Sequence, residues 1–254
     1  LKKAYHVEDL DLSDVASAYA RARGADRLSS YGDWAAVSDT VDVPTAKLIK
    51  REVSDGVIAP AFEPEALEIL KEKKKGKYAV IQMDSSYVPS NSELRQVFGV
   101  QFEQRRNDIE ITPATLEKIV TKNKKLSDHA VRDLILAQIT LKYTQSNSVC
   151  CAYGGQGIGV GAGQQSRIHC TRLATSKAER WMLRQHPVVL SMEFAGAAGR
   201  PQRDNAIDQY FEENLSEAES KLWKENFITV PKPLSFDEKK EWFASFEGIS
   251  IASD

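Results

Sequence analysis

No apolar run in the 254 residues approaches the roughly 20 needed to span a bilayer, so no membrane segment is expected. Cysteine is scarce: Cys150, Cys151 and Cys170 make an odd set of three, too few for a disulfide framework and suited to a reducing compartment. The four histidines lie far apart, and the vicinal Cys150-Cys151 pair lacks the C-x-x-C spacing of a zinc site, so the thiols read as buried and no metal set emerges. Charge of one sign is also lacking. A net charge of -2 leaves no basic domain or stripe, which argues against a nucleic-acid partner. The first residues, Leu1 to His6, contain neither a Met nor the apolar core of a secretory signal. A piece of a longer protein is the expectation.

What is present describes a globular chain. With 42% hydrophobic and 28% charged residues, it can build one large domain or two or three smaller ones. Ser13 caps a predicted helix to about Arg23, with Gly24 as its C′ stop. Trp34 to Ser38 reads as a short strand. A helix starts at Asp42-Val43-Pro44, proline just inside it, and runs to Glu52. Gly56 to Pro60 is an apolar run of the kind found in a buried parallel strand. Pro64 to Lys75 is helical, acids early and lysines late, and stops at Gly76. Tyr78 to Met83 is the next strand. This alternation predicts an α/β layered domain with a largely parallel sheet.

Further on, Val97 to Gln104 alternates as a half-exposed strand does. Ser127 to Tyr143 is a long helix with Val131, Leu134, Ile135, Ile139 and Leu141 toward the core. Ser148 to Gly163 is strand-like and glycine-rich, and a helix begins at Ser166. The pattern from Asn205 to Phe246 is helical, broken at Pro231 and Pro233. Ile249 to Asp254 reads as a strand, and its position at the end of the sequence adds to the expectation of a truncated chain.

Five segments could carry chemistry. Ser17 to Asp33 places three arginines before a Ser-Ser-Tyr-Gly-Asp turn, which is either a surface helix with a tight turn or a site where Tyr31 offers a ring face and Gly32 close backbone approach. Asp55 sits between a helix and a buried strand, where it either binds a ligand or caps local amides. The basic run Lys71 to Lys77 reads as a solvated helix end. Lys142 to Val149 sets polar side chains between an apolar helix and an apolar strand, which suggests a binding wall or a cation held by hydroxyls and carbonyls. Gly154 to His169 matches a dinucleotide fingerprint only loosely at Gly157, Gly159 and Ala162. Its glycines alternate along a strand and no acid follows about 20 residues on. A strand admitting close backbone approach, then a helix N-terminus with Arg167 as an anion site, is the better reading. His169 reads as a packed histidine.

Ala18-Tyr19-Ala20-Arg21-Ala22-Arg23-Gly24-Ala25-Asp26-Arg27, Arg51 to Gly56, Lys142 to Val149, Gly161 to Cys170 and Asn205 to Tyr210 are collinear. Together they resemble 5-aminoimidazole-4-carboxamide ribonucleotide (AICAR) formyltransferase, the C-terminal half of a bifunctional purine enzyme whose other half is inosine monophosphate cyclohydrolase. The resemblance implies an α/β fold of duplicated cytidine-deaminase-like three-layer α/β/α units. The first would cover 1–110, the second would begin over 111–194 and resume at 249–254, and a helical insert would occupy 195–248. It implies a cytosolic homodimer that moves a formyl group from 10-formyltetrahydrofolate to the amine of AICAR. It further implies Tyr31, Gly32, Asp55, Asn147 and Arg167 on the nucleotide, with Asn147 at the reacting group. Leu28, Ile168 and Asn205 would lie on the folate side. A monovalent cation, potassium, is implied near Thr144, Ser146 and Ser148. The family's adjacent Lys-His pair has no counterpart here, and neither Lys3 nor His6 takes that role. A chain that binds nucleotide and folate without turnover is therefore the expectation for this polypeptide alone.

Overall fold

The computed structural model of the chain describes residues 2–28, 32–196, 198–212 and 214–254. Helix α1 (Asp14–Arg23) starts where Ser13 Oγ accepts from the amide of Ala16, and α2 (Val43–Arg51) where Asp42 accepts from that of Thr45. Both caps satisfy an otherwise unpaired first-turn donor. Between and after them run β1 (Trp34–Ala36), β2 (Gly56–Ala59) and β3 (Ala79–Gln82), with α3 (Pro64–Lys71) joining the last two. The three strands form a parallel sheet in the order β1-β2-β3, as the sequence pattern requires. Helices α2 and α3 cover it. Ile49, Val57, Ala66 and Leu70 are fully buried between the layers, and each large aliphatic there contributes about 1.5–3 kcal/mol.

Gly24 is not the left-handed stop expected of it; its φ is -75°. A Cβ there would overlap the buried ring of Tyr5, so close packing explains the glycine. The strand expected over Val97 to Gln104 is two strands, β4 (Ser92–Val97) and β5 (Val100–Arg105), turning at Phe98-Gly99 with both residues at positive φ.

The second half holds β6 (Ser148–Tyr153), β7 (Gln156–Ala162) and β8 (Ser250–Ser253), antiparallel in the order β7-β6-β8. Helix α4 (Asp128–Lys142) covers one face, burying Ala137 and Leu141 against Cys150 and Ala152. Helix α5 (Arg167–Arg184) covers the other, burying Cys170, Ala174 and Ala178 against Val149, Cys151 and Ile158. The buried stripe of α4 is Asp133, Ala137 and Leu141, whereas Ile139 is exposed. Asp133 turns inward because its carboxylate accepts from the amides of Gly154 and Gly155 at 2.8 and 2.6 Å, closing the β6–β7 turn. All three cysteines are free and buried, as read from the sequence, and burial pushes the Cys150 thiol up to about 11. Helices α6 (Pro187–Leu190), α7 (Arg200–Tyr210), α8 (Glu217–Lys224) and α9 (Phe236–Ala244) pack around Ile207, Phe211, Trp223 and Phe227. Serines 216 and 235 each build a capping box at the starts of α8 and α9. No helix among the described residues is long and apolar enough to cross a membrane.

The alternating glycines of β7 belong to this packing. A Cβ on Gly159 would overlap the carbonyl oxygen of Ala174, and one on Gly161 that of Cys170, so α5 lies backbone-on-backbone against the strand. Gly161→Ala is expected to destabilise the chain by about 1–3 kcal/mol or more, because helix backbone cannot step aside as a side chain can. Gly196→Ala, with nothing within 4 Å of the added carbon, is the control. Denaturant unfolding checks both, and equal stability of the two variants would contradict the packing argument.

Candidate functional site

At the Ser148 end of β6 the glycine-packed helix delivers its first residue onto the preceding loop. Asn147 Nδ2 donates to the carbonyl oxygens of Gln164 and Gln165 at 3.0 and 3.1 Å, and Asn147 Oδ1 accepts from Arg167 Nη2 at 3.1 Å. These partners fix the orientation of the amide, since its nitrogen faces two carbonyls and its oxygen a guanidinium. One lone pair of Oδ1 remains for a ligand. Arg167 Nη1 donates to Ser253 Oγ at 2.8 Å, to Ser148 O at 3.4 Å and to the carboxylate of Asp254. Among the described residues its Nε–H and second Nη2–H have no partner, and they stand beside the N-terminus of α5, where backbone amides and the helix dipole favour an anion. Cys170 Sγ contributes a contact of 2.9 Å to Asn147 O, which pins the loop from the helix side.

Asp254 is the member of this constellation that sequence reasoning missed. It follows a four-residue strand and gives no local hint of a partner 87 positions away. Hydrogen bonds from Ser146 and the amide of Ser148, then Arg167 itself, hold its carboxyl down to about 2. Of the three hydroxyls expected around a cation, Thr144 Oγ1 donates back to Thr140 O at 2.6 Å. Ser146 is bound to Asp254. Ser148 Oγ is buried with no hydrogen-bond partner. Of the three hydroxyls, that of Ser148 alone is left for a monovalent cation among the described residues.

The structure also brings Gly32 and Asp55 together: a Cβ on Gly32, at φ +83°, would stand 3.9 Å from Asp55 Oδ2. Asp55 immediately precedes β2 and Gly32 stands two residues before β1, and the starts of these neighbouring parallel strands are linked where the Asp55 amide donates to Asp33 O at 2.7 Å. Asp55 caps no local amide among its described contacts. It is exposed and paired with Lys74. Tyr31 lies outside the described residues.

Leu28, 41% exposed, and Asn205 follow Arg27 and Asp204 in the chain, and those two form a buried ion pair at 3.0 Å. Leu28 lines a cleft of about 270 Å³ with Leu173, Lys177 and Trp181 of α5. Ile168, 62% exposed, stands on the same helix. His169, expected to pack, is exposed, since Arg167, Ile168 and His169 occupy the first turn of α5 beyond the edge of the sheet. Among the described residues no hydrogen bond or ion pair joins Gly32 and Asp55 to Asn147 and Arg167.

Set beside known proteins, residues 11–177 match the model of the AICARFT/IMPCHase bienzyme. The chain belongs to that family. It is 33% identical to the bifunctional purine biosynthesis protein PurH of Prochlorococcus marinus over 164 residues, 65% of this chain and 31% of that protein. The PurH proteins of a Synechococcus species and of Oceanobacillus iheyensis are 33% and 34% identical, again over 65% of this chain and 32% of their own length. This AICARFT/IMPCHase family chain thus spans about a third of the length of the curated relatives it matches.

The Asp254 carboxyl, held below its ordinary 3.8, contributes stability that is complete above about pH 4 and is lost as pH falls through about 2. Carbon-13 titration should give that midpoint. Arg167→Leu should raise it only part of the way, since Ser146 and Ser148 remain. A midpoint unchanged by Arg167→Leu would show that the guanidinium does not act on Asp254.

Proposed function

We propose that the chain supplies the nucleotide-holding part of an AICAR formyltransferase in purine biosynthesis, in which the 5-amino group of AICAR takes the formyl group of 10-formyltetrahydrofolate. In that reaction the amine nitrogen bonds to the formyl carbon, an oxyanion develops on the formyl oxygen, the amine loses a proton, and the bond to the folate nitrogen breaks. The carrying observation is the Asn147–Arg167 pair. A fixed amide oxygen with one free lone pair suits an amine N–H, and the guanidinium beside it suits a neutral carboxamide oxygen or an anionic group. Both are held in place before any ligand arrives, which lowers the cost of ordering the site.

On this reading Asp55 and the Gly32 turn, with Tyr31, hold a second part of the nucleotide, and Leu28, Ile168 and Asn205 face the folate. A potassium ion beside Ser148 and Asp254 would fix the loop that carries Asn147, its charge balanced by the carboxylate.

A homodimer completes the reading. From residue 81 to residue 132 not one residue is buried, although Tyr87, Val88, Leu94, Phe98, Val100 and Phe102 all lie in that stretch and are more than half exposed. An isolated two-stranded ribbon is marginal in water, so β4–β5 needs a cover. A second copy suits it: along the ribbon Glu93 and Glu103 stand among Arg95 and Arg105, so charges of both signs are interspersed and can meet their opposites across a self-complementary two-fold contact. The stretch also exceeds the 20–30 residues per side of an ordinary interface.

Calorimetry on the chain should give an AICAR affinity that falls about tenfold or more in Arg167→Leu and Asn147→Leu, each of which removes a polar contact worth about 1.5–3 kcal/mol. An unchanged affinity in both would refute the nucleotide site. Light scattering should report a dimer for the parent chain and a monomer for Phe102→Glu. A monomeric parent, or a dimer indifferent to the added charge, would remove the hairpin from the interface.

A further inference from the structure

The basic run 71–77 is a solvated helix end at Lys71, Lys74, Lys75 and Lys77, as its composition suggests, but not at Lys73. Helix α3 stops at Lys71, and Lys73 turns inward to 8% exposure. Its Nζ donates to the carbonyl oxygens of Ile49 and Glu52, both at 2.6 Å, and to Ser54 Oγ at 3.2 Å. All three ammonium donors are thus committed. The first two acceptors belong to the last turn and C-cap of α2, carbonyls that have no partner within their own helix. The ammonium also stands 4.5 Å from the centroid of the Tyr78 ring, and the Tyr78 hydroxyl shares a 2.7 Å hydrogen bond with Ser54 Oγ. One cation therefore ties together the end of α2, the turn before β2 and the start of β3.

The residues on either side of this tie make it more than a helix cap. Ser54 is followed by Asp55. Lys73 is followed by Lys74 and Lys75, both left-handed at φ 51° and 55°, a conformation that costs a residue with a Cβ about 1–2 kcal/mol. That turn brings Lys74 Nζ onto the Asp55 carboxylate, which faces Gly32. Burial, and after it repulsion from Lys74, pushes Lys73 down to about 8. The charge is retained at a cost that an apolar side chain would avoid.

We propose that Lys73 is a positioning residue for Asp55: by holding Ser54, Tyr78 and the end of α2 in one corner, it fixes the Lys74–Asp55 pair at the Gly32 turn. The assignment of a ligand to that pair rests on the nucleotide reading above. A lysine that merely stabilises the corner would lower the unfolding midpoint and leave ligand affinity independent of Asp55. A positioning lysine acts on affinity through Asp55.

The test is a double-mutant cycle in the 254-residue chain, with AICAR as the probe. Lys73→Met should weaken AICAR binding about tenfold, and less than about twofold in an Asp55→Asn background, while lowering the unfolding midpoint equally in both. An equal loss of affinity in both backgrounds overturns the proposal, as does no loss in either. Should Lys73→Met fail to fold, Ser54→Ala removes one acceptor and takes its place in the cycle. Should the parent chain bind no AICAR, the nucleotide reading fails, and positioning is decided by the carbon-13 resonance of the Asp55 carboxyl. A shift of that resonance in Lys73→Met or Ser54→Ala supports the role, and an unmoved resonance in both overturns it.

Discussion

The contact of the α5 backbone with the bare strand β7 is the constraint on which the second half of the molecule depends. Gly159 and Gly161 leave no side chain between strand and helix, so the helix axis is set by backbone contact and Cys170, Ala174 and Ala178 close the seam. Small residues on both surfaces allow a single separation, and a helix so placed has little freedom to slide. Its first turn must then emerge beside the loop before β6. Cys170, on the seam, contacts the backbone of Asn147, and Arg167, one turn earlier, contacts its side chain. Strand β8 closes the third side with Ser253 and Asp254. The polar constellation is a consequence of an apolar fit.

In the first half the corresponding constraint is electrostatic. Glu52, at the end of α2, receives Arg200 at 2.6 Å and Arg27 at 3.4 Å. Arg27 continues to Asp204, which also receives Arg184 at 3.1 Å. These side chains are nearly all inaccessible, and removing one partner from such a buried set costs about 3–5 kcal/mol because the others are left uncompensated. The network joins α2, the loop after α1, α5 and α7, four segments distant in sequence. It holds Arg27, and so Leu28 after it, beside α5. Where the second half is registered by the absence of side chains, the first is registered by paired charges.

Local signals were legible where local physics decides. Asp42 and Pro44 announced the start of α2, Ser13 that of α1, and the apolar run 56–60 the central strand, since caps and burial periodicity act within a few residues. The glycine alternation of β7 announced a close approach, but not that a helix backbone makes it, because the approaching residues lie well down the chain. The buried stripe of α4 was misread for a similar reason: Asp133 faces inward to serve amides 21 and 22 positions away. Phe98-Gly99 lacks the Asn-Gly or Asp-Gly pattern of a two-residue turn, so the hairpin read as a single strand. Of the candidate site, Asn147 was marked by polar residues stranded between apolar elements, and Arg167 by its place at a helix start. Asp254 was not, because its role exists only when β8 pairs with β6.

The two polar clusters differ in how much freedom their donors and acceptors keep. Around Asn147 the amide is fixed by three protein partners, so a ligand meets a preset oxygen and need displace nothing. Around Asp55 the carboxylate is exposed and already answered by Lys74. A ligand group that hydrogen-bonds to Asp55 must either share it with the ammonium or displace that ammonium, and sharing is favoured when the ligand brings both a donor and an anion. A donor could go to Asp55 while the anion goes to Lys74. The pairing of Asp55 with a lysine therefore selects for a ligand that presents a donor and an anion side by side, whereas the fixed amide at Asn147 selects for a lone donor.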